Sequence, residues 1–471
     1  MKKVCKLLSA MLAICLFVNL FLSGCGNKKE ENAVVTTQTA AGEASTAETE
    51  KEPVEIVFIC WGDAVAKKSN ENAAKVFESK YDWIKVKPMT LPSQDYDTKI
   101  TTMVAAKEQI DLAELESATI AYPLAEQGKL YNVKKLLDSD KKVTIDTYIP
   151  EAYYKTDKDT IIGIGYGIEM FNLFYNPEMF EKAGIETPPA DPAQAWEWEE
   201  FVEAAKKLTL DGNGKNAADA GFNANDIKQY GISFPKWWGL WGNFVYANGG
   251  DFVTDDGKFG LSKPEAAEAI QKLADLINVY HVSPNATSEK GMPGMDIALQ
   301  TKKVAMVIEG QWCHAGLGNS KVNFEVGSLP KLKFVRTQAV TGMFSIFADT
   351  KSPEASFEFL KFVNDPAQNL EQYTNGTLMP VMKDWLTKPE LLDQWIKDNP
   401  AHSSRYQEAV IGMLLNNSVP TPTGTVKNFN KIMDVVNPAL DKVWTGEKSA
   451  ADALKECEPK VADLVQGKRE R

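Results

Sequence analysis

Hydrophobic and polar residues fall into three successive regimes along this chain. The first is an apolar run from Leu7 to Leu22, broken only by Ser9 and Asn19 and preceded by Lys2, Lys3 and Lys6. A basic start followed by a short apolar stretch predicts a secretory signal, because a membrane span needs about 20 apolar residues. The second regime, Gly26 to about Glu52, is mostly Thr, Ala, Glu, Asn and Gln with almost nothing to bury. It predicts a disordered tether that ends at Pro53. The third opens abruptly with Val54-Glu55-Ile56-Val57-Phe58-Ile59, a strand pattern stopped by Trp61-Gly62-Asp63. Helical spacing at Ala73, Ala74, Val76 and Phe77 and a strand at Ile84-Lys85-Val86 follow, and strand, helix, strand begins an α/β layer.

Longer helices punctuate the rest. Trp198, Phe201, Val202, Ala205 and Leu208 share one helical face, as do Ala266, Ile270, Leu273, Ile277 and Tyr280. Ser262 and Glu265 have capping-box spacing ahead of the second of these, and Ser352-Pro353 opens a helix carrying Phe357, Leu360 and Val363. Short strands are expected at Val304–Ile308, Glu325–Gly327 and Phe344–Phe347, and the stretch from Tyr406 onward reads as helical throughout. No internal repeat is visible.

Composition adds limits. Hydrophobic residues make up 44% and charged residues 25%, enough for a sizeable core in two or three domain-sized units. The formal charge of -12 becomes about -15 once Lys2, Lys3 and Lys6 leave with the signal, which argues against nucleic acid and anionic lipid as partners. Cys60, Cys313 and Cys457 lack the spacing of a disulfide framework or a metal site, leaving buried free thiols or one long-range bridge.

Catalytic patterns are missing. Three histidines, His281, His314 and His402, have no local partner pattern, and neither His-Glu-x-x-His nor Gly-x-Ser-x-Gly occurs. Asp211-Gly212-Asn213-Gly214-Lys215 has Asn216 and Phe222 where a calcium loop needs Gly and Glu, and Asn216 where a phosphate loop needs Ser or Thr. A polar turn is the better reading. Aromatics stand out instead: Trp237, Trp238 and Trp241 crowd one segment, and Gly239 and Gly242 in it keep it from being a tidy amphipathic helix. Such residues fill cores or present faces, and the face of an indole matches the C–H face of a sugar ring.

Leu22-Ser23-Gly24-Cys25 resembles a bacterial lipobox, which implies cleavage before Cys25 and a lipid on that cysteine. Tyr175-Asn176-Pro177-Glu178-Met179-Phe180-Glu181-Lys182-Ala183-Gly184, Ala247-Asn248-Gly249-Gly250, Leu261-Ser262-Lys263-Pro264-Glu265-Ala266, Lys303-Val304-Ala305-Met306 with Gly310-Gln311-Trp312, and Trp444-Thr445-Gly446-Glu447-Lys448-Ser449 occur in that order. Together they resemble the extracellular solute-binding lipoproteins of ABC importers, in the branch that includes the maltose-binding protein. The likeness covers about Val54 to Val465. It departs at Gln300-Thr301-Lys302 and Gly163-Ile164-Gly165-Tyr166, and no arginine stands near Glu116, so maltose itself is not implied.

The resemblance implies an α/β, two-lobed periplasmic-binding-protein-like fold of type II, with a ligand held between lobes that close about crossover hinges near Gly165–Phe171 and Thr341–Ile346. Expected limits are 1–24 for the signal peptide, 25–53 for the lipidated cysteine and tether, 54–168 with 343–390 for the first lobe, and 169–342 with 391–471 for the second. Implied ligand residues are Trp312 as a stacking platform, Glu169, Asp63 and Glu116 as hydroxyl acceptors, and Trp238 and Trp241 as further aromatics. The implied activity is capture of a mono- or oligosaccharide for ABC permease subunits, by a monomer anchored through Cys25 at the outer face of the cell membrane, without cofactor, metal or nucleic acid. A polyamine, peptide or polyol phosphate in the same fold, and a surface glycosidase, are the alternatives.

Overall fold

A computed structural model of the chain describes residues 52–469 except Ser93, Glu116, Lys321 and the side chain of Val65. The apolar run, Cys25 and most of the polar tract lie outside the described residues, and so does the expected ligand residue Glu116. Among the described residues no helix is long and apolar enough to cross a membrane.

Thirteen strands are described, in three sheets. The first sheet combines β1 (Val54–Trp61), β2 (Ile84–Leu91), β3 (Leu112–Leu115), β4 (Tyr153–Asp157), β5 (Thr160–Gly165) and β12 (Met343–Ile346) in the order β2-β1-β3-β12-β5-β4. The second combines β6 (Phe171–Tyr175), β7 (Leu210–Asp211), β8 (Ile227–Ser233), β9 (Val304–Gly310) and β10 (Glu325–Gly327) in the order β10-β6-β9-β8-β7. A parallel pair, β11 (Thr337–Ala339) with β13 (Ser418–Pro420), completes the set. β1 runs parallel to β2 and β3, and β8 parallel to β9. Strands covered on both faces read as continuous apolar runs rather than alternating ones. In β1, Ile56, Phe58 and Cys60 join one buried cluster and Val57 and Ile59 the other.

The chain passes from the first sheet to the second between β5 and β6, and returns between β11 and β12. The two passages run side by side: Glu169 and Val340 each donate a backbone N–H to the other's carbonyl at 2.8 Å. Helix Pro353–Asn364 then seals the first sheet, Phe359 meeting Phe58 and Phe77 edge-on at 5.3 and 5.0 Å. Helices Phe429–Trp444 and Ala450–Val461 pack on Pro264–Asn278 beside the second sheet.

Three local expectations give way. Helix Pro264–Asn278 is capped at Lys263 without a side-chain bond, since Pro264 occupies the first turn, so the Ser262–Glu265 box does not form. Beyond Tyr406 the helices are interrupted by β13, because Pro420 and Pro422 remove amide donors and fix extended backbone. The Trp-rich segment is a helix, Trp238–Ala247, and its glycines serve close approach: a Cβ on Gly239 would lie 2.4 Å from the Trp237 ring.

Candidate ligand-binding site

In open α/β sheets, ligands bind beyond the carboxyl ends of parallel strands. Trp61 and Asp63 stand at that end of β1, Trp312 two residues past β9, and Trp237 and Trp238 shortly after β8, while Glu169 sits in the crossover leading to β6.

The second-sheet group is aromatic. Phe171, the first residue of β6, lies 5.7 Å from Trp312 at 83° and 5.9 Å from Trp237 at 56°. The Trp312 ring lies across Gly310, where a Cβ would fall 2.0–2.2 Å from Cη2, Cζ2 and Cζ3, and 37% of the residue remains open. A glycine two positions earlier thus gives the indole a seat that any side chain would occupy. Glu169, half-buried, is fixed by its two backbone bonds to Val340 two residues before Phe171. Trp238 is also half-buried, edge-on to Trp237 at 4.9 Å and to Phe429 at 5.1 Å.

Trp241 departs from the expectation. It is 1% exposed and stacked on Phe252 at 5.1 Å and 20°, so its face is already covered within the core. One helical turn separates it from Trp238, and the neighbours of each decide between core and surface.

The first-sheet group is acidic. Asp63 is exposed, and its Oδ1 accepts from the Ala66 amide at 3.0 Å, capping helix Ala64–Glu78. Two residues here were not singled out from the sequence. Trp61 is 36% exposed, and the Glu114 carboxylate accepts from its amide at 2.9 Å. Glu114 is the lone charge in Leu112–Leu115, which is the available signal, and Trp61 enters the sequence reading only as part of a strand stop, although Asp63 beside it is an expected ligand residue. Beneath them the Cys60 thiol, bonded to Thr90 and Asn70, is pushed up to about 12 by burial and then by Glu114, and stays neutral.

Other features carry no such chemistry. The Asp211 carboxylate is occupied by the amides of Asn213, Lys215 and Asn223 at 2.8–3.0 Å, the donors a calcium ion would displace. Among the described residues no group of three or more His, Cys, Asp or Glu could hold a metal ion. Cys60, Cys313 and Cys457 are free thiols. A cavity of about 890 Å³ opens by Val54, Asp111, Lys129 and Lys351, at the amino ends of β1 and β3 and so at the opposite edge from the candidate residues.

The comparisons with known proteins concern the chain as a whole. The galactooligosaccharide-binding protein of Bacillus subtilis (strain 168) is 21% identical over 446 residues, covering 94% of this chain and 93% of its own. An sn-glycerol-3-phosphate-binding periplasmic protein of Brucella abortus (strain 2308) is 21% identical over 419 residues, covering 84% of this chain and 90% of its own. Among solved structures, an ABC substrate-binding protein from Listeria monocytogenes in complex with cycloalternan is 25% identical and superposes with a TM-score of 0.69, covering 88% of this chain and 99% of its own. A family model described as bacterial extracellular solute-binding protein matches residues 72–403. With a match of that length over the two-sheet architecture, the chain belongs to the bacterial extracellular solute-binding proteins.

Proposed function

We propose that the chain is the receptor of an ABC importer, that it captures a mono- or oligosaccharide between two lobes, and that it hands the sugar to the permease without chemical change. The lobes take the limits 54–168 with 343–390 and 169–342 with 391–471, and close about the paired crossovers at Glu169 and Val340. The observation that carries the reading is the Trp312 ring seated on Gly310 beside Phe171 and Trp237 with much of its surface open. An indole so placed offers a flat apolar face to the C–H side of a sugar ring, and Glu169, Asp63 and Glu114 accept from hydroxyls. Carboxylates around the cleft disfavour a phosphate. Cys25 carries the lipid that holds a monomer at the outer face of the membrane.

The test is a thermal-shift and calorimetric screen of residues 52–471 against malto- and galactooligosaccharides, with glycerol 3-phosphate, spermidine and short peptides as the competing arms. A ligand that binds only the folded form raises its stability with occupancy. The reading predicts stabilisation by a saccharide and by none of the competing arms. Stabilisation by spermidine, a peptide or glycerol 3-phosphate overturns the sugar assignment, and release of reducing sugar overturns the binder.

A further inference from the structure

We propose that Gly467–Arg469 is a strap joining the two lobes, one whose release shifts the balance between their arrangements. The proposal rests on the two-lobed reading above but not on the identity of the ligand. The strap pairs with the chain ahead of helix Phe429–Trp444: the Lys427 amide donates to Gly467 O at 3.1 Å and the Arg469 amide to Thr425 O at 2.7 Å. Adjacent side chains then reach opposite ways. The Lys468 ammonium sits between Asp251 and Asp255, at 2.6 and 2.7 Å, in the loop that follows helix Trp238–Ala247 of the second lobe. The Arg469 guanidinium lies over the Tyr122 ring at 3.9 Å and reaches Glu126 at 3.9 Å, both on helix Ala118–Glu126, which follows β3 of the first lobe.

Burial distinguishes this contact from the surface ion pairs. The Arg469 side chain is 11% exposed and Tyr122 1%, so the guanidinium is stacked where water is largely excluded, the setting in which a cation–π contact is strongest. Its Nη1 also donates to Val426 O at 2.8 Å, holding it on the ring. Because the two anchors are consecutive residues, rotation of one lobe about the crossovers cannot be followed by both. The strap also backs the aromatic group: Phe429, three residues past Val426, packs on Trp238 at 5.1 Å and on Phe252 at 5.8 Å, and Phe252 adjoins Asp251. A lobe movement that strains the strap is therefore felt behind Trp238.

Hydrogen exchange and small-angle scattering on the full chain without ligand test the proposal. Arg469→Ala is expected to speed exchange about fivefold in helix Ala118–Glu126 and at the Glu169 and Val340 amides, the loss of a contact worth about 1 kcal/mol, and to change the radius of gyration. Arg469→Lys, a cation without the planar face, falls between. Lys468→Met frees the other anchor with little risk to folding and gives the same pattern at the crossovers. Faster exchange confined to residues 425–427 and 467–469, with the crossovers and the radius unchanged, marks a local clip and overturns the strap. No change at any of these amides overturns it as well. Since no ligand is present, these outcomes are independent of the oligosaccharide screen.

Discussion

Gly310→Ala isolates the proposed Trp312 platform from every other residue of the candidate site. The new methyl carbon would stand 2.0 Å from Trp312 Cη2 and 2.2 Å from Cζ2 and Cζ3. Carbon contacts settle near about 3.5–4.0 Å, so the ring must retreat by roughly 1.5 Å. The backbone accepts the change, because Gly310 has no positive φ, and the atoms in the way are the far edge of a ring that is partly open to solvent. Folding stability should therefore move by less than about 1 kcal/mol. Binding should suffer more. Removing the indole altogether, in Trp312→Ala, costs on the order of 2 kcal/mol of apolar contact, about thirtyfold in affinity. A displaced but present indole should lose about half of that, roughly fivefold. Calorimetry with the oligosaccharide found by the screen measures both variants and the double variant. In the Trp312→Ala background the added methyl should cost nothing further, since the two changes act through one contact. An undiminished affinity in Gly310→Ala, or a loss that persists without the indole, refutes the seat-and-platform reasoning.

Three further expectations follow from the same geometry. Glu169→Gln should weaken binding by about 1 kcal/mol, the difference between a charged and a neutral acceptor, while the melting temperature holds because both backbone bonds to Val340 remain; a large thermal loss would make the Glu169 carboxylate a structural group of the hinge rather than a ligand acceptor. Trp241→Ala should cost about 3–5 kcal/mol of stability and Trp238→Ala clearly less, because only the first ring is fully buried; denaturant unfolding decides, and equal losses would remove the distinction between core and surface indoles. Buried His314 and His402 are held down to about 4 and about 3 by desolvation, against 6.5 in the open chain, so stability should be full above about pH 6.5 and fall progressively as the pH drops toward 4, by roughly 3 kcal/mol from His314 alone. Melting temperature against pH should slope less steeply over that window in His402→Gln, the His314 share remaining, and identical slopes in parent and variant would rule His402 out.

Much of this was legible because apolar periodicity reports burial directly. Helix Trp198–Leu208 ends where its apolar face ends, with Glu199 and Glu200 in the first turn and Lys206 and Lys207 in the last, as the helix dipole prefers. The apolar run of β1 likewise announced a strand, and its burial on both sides shows in the structure. What escaped depends on partners distant in sequence. Nothing local separates Trp238 from Trp241. Phe429 arrives edge-on beside one and leaves it half open, whereas Phe252 lies flat on the other. Periodicity carried past Tyr406 over Pro420 and Pro422, although proline chemistry was the better guide there.

The candidate site follows the same division. Trp312 could be read from Gly310-Gln311-Trp312, but the work of Gly310 shows only when the ring is seen lying across its Cα. Trp61 was visible as a residue and missed as a surface, because a tryptophan closing a strand is usually core and becomes available only if the turn after it carries the chain away. Here Gly62 has φ 138° and a Cβ on it would meet Ala66 Cβ at 2.3 Å, so the turn is tight and needs glycine. That turn delivers Asp63 to the first amides of helix Ala64–Glu78 and leaves the Trp61 ring partly uncovered beside Glu114. Both indoles therefore owe their exposure to a neighbouring glycine at the end of a parallel strand, one on each sheet, which is where the proposed binding mode needs a face to grip a sugar ring from either side.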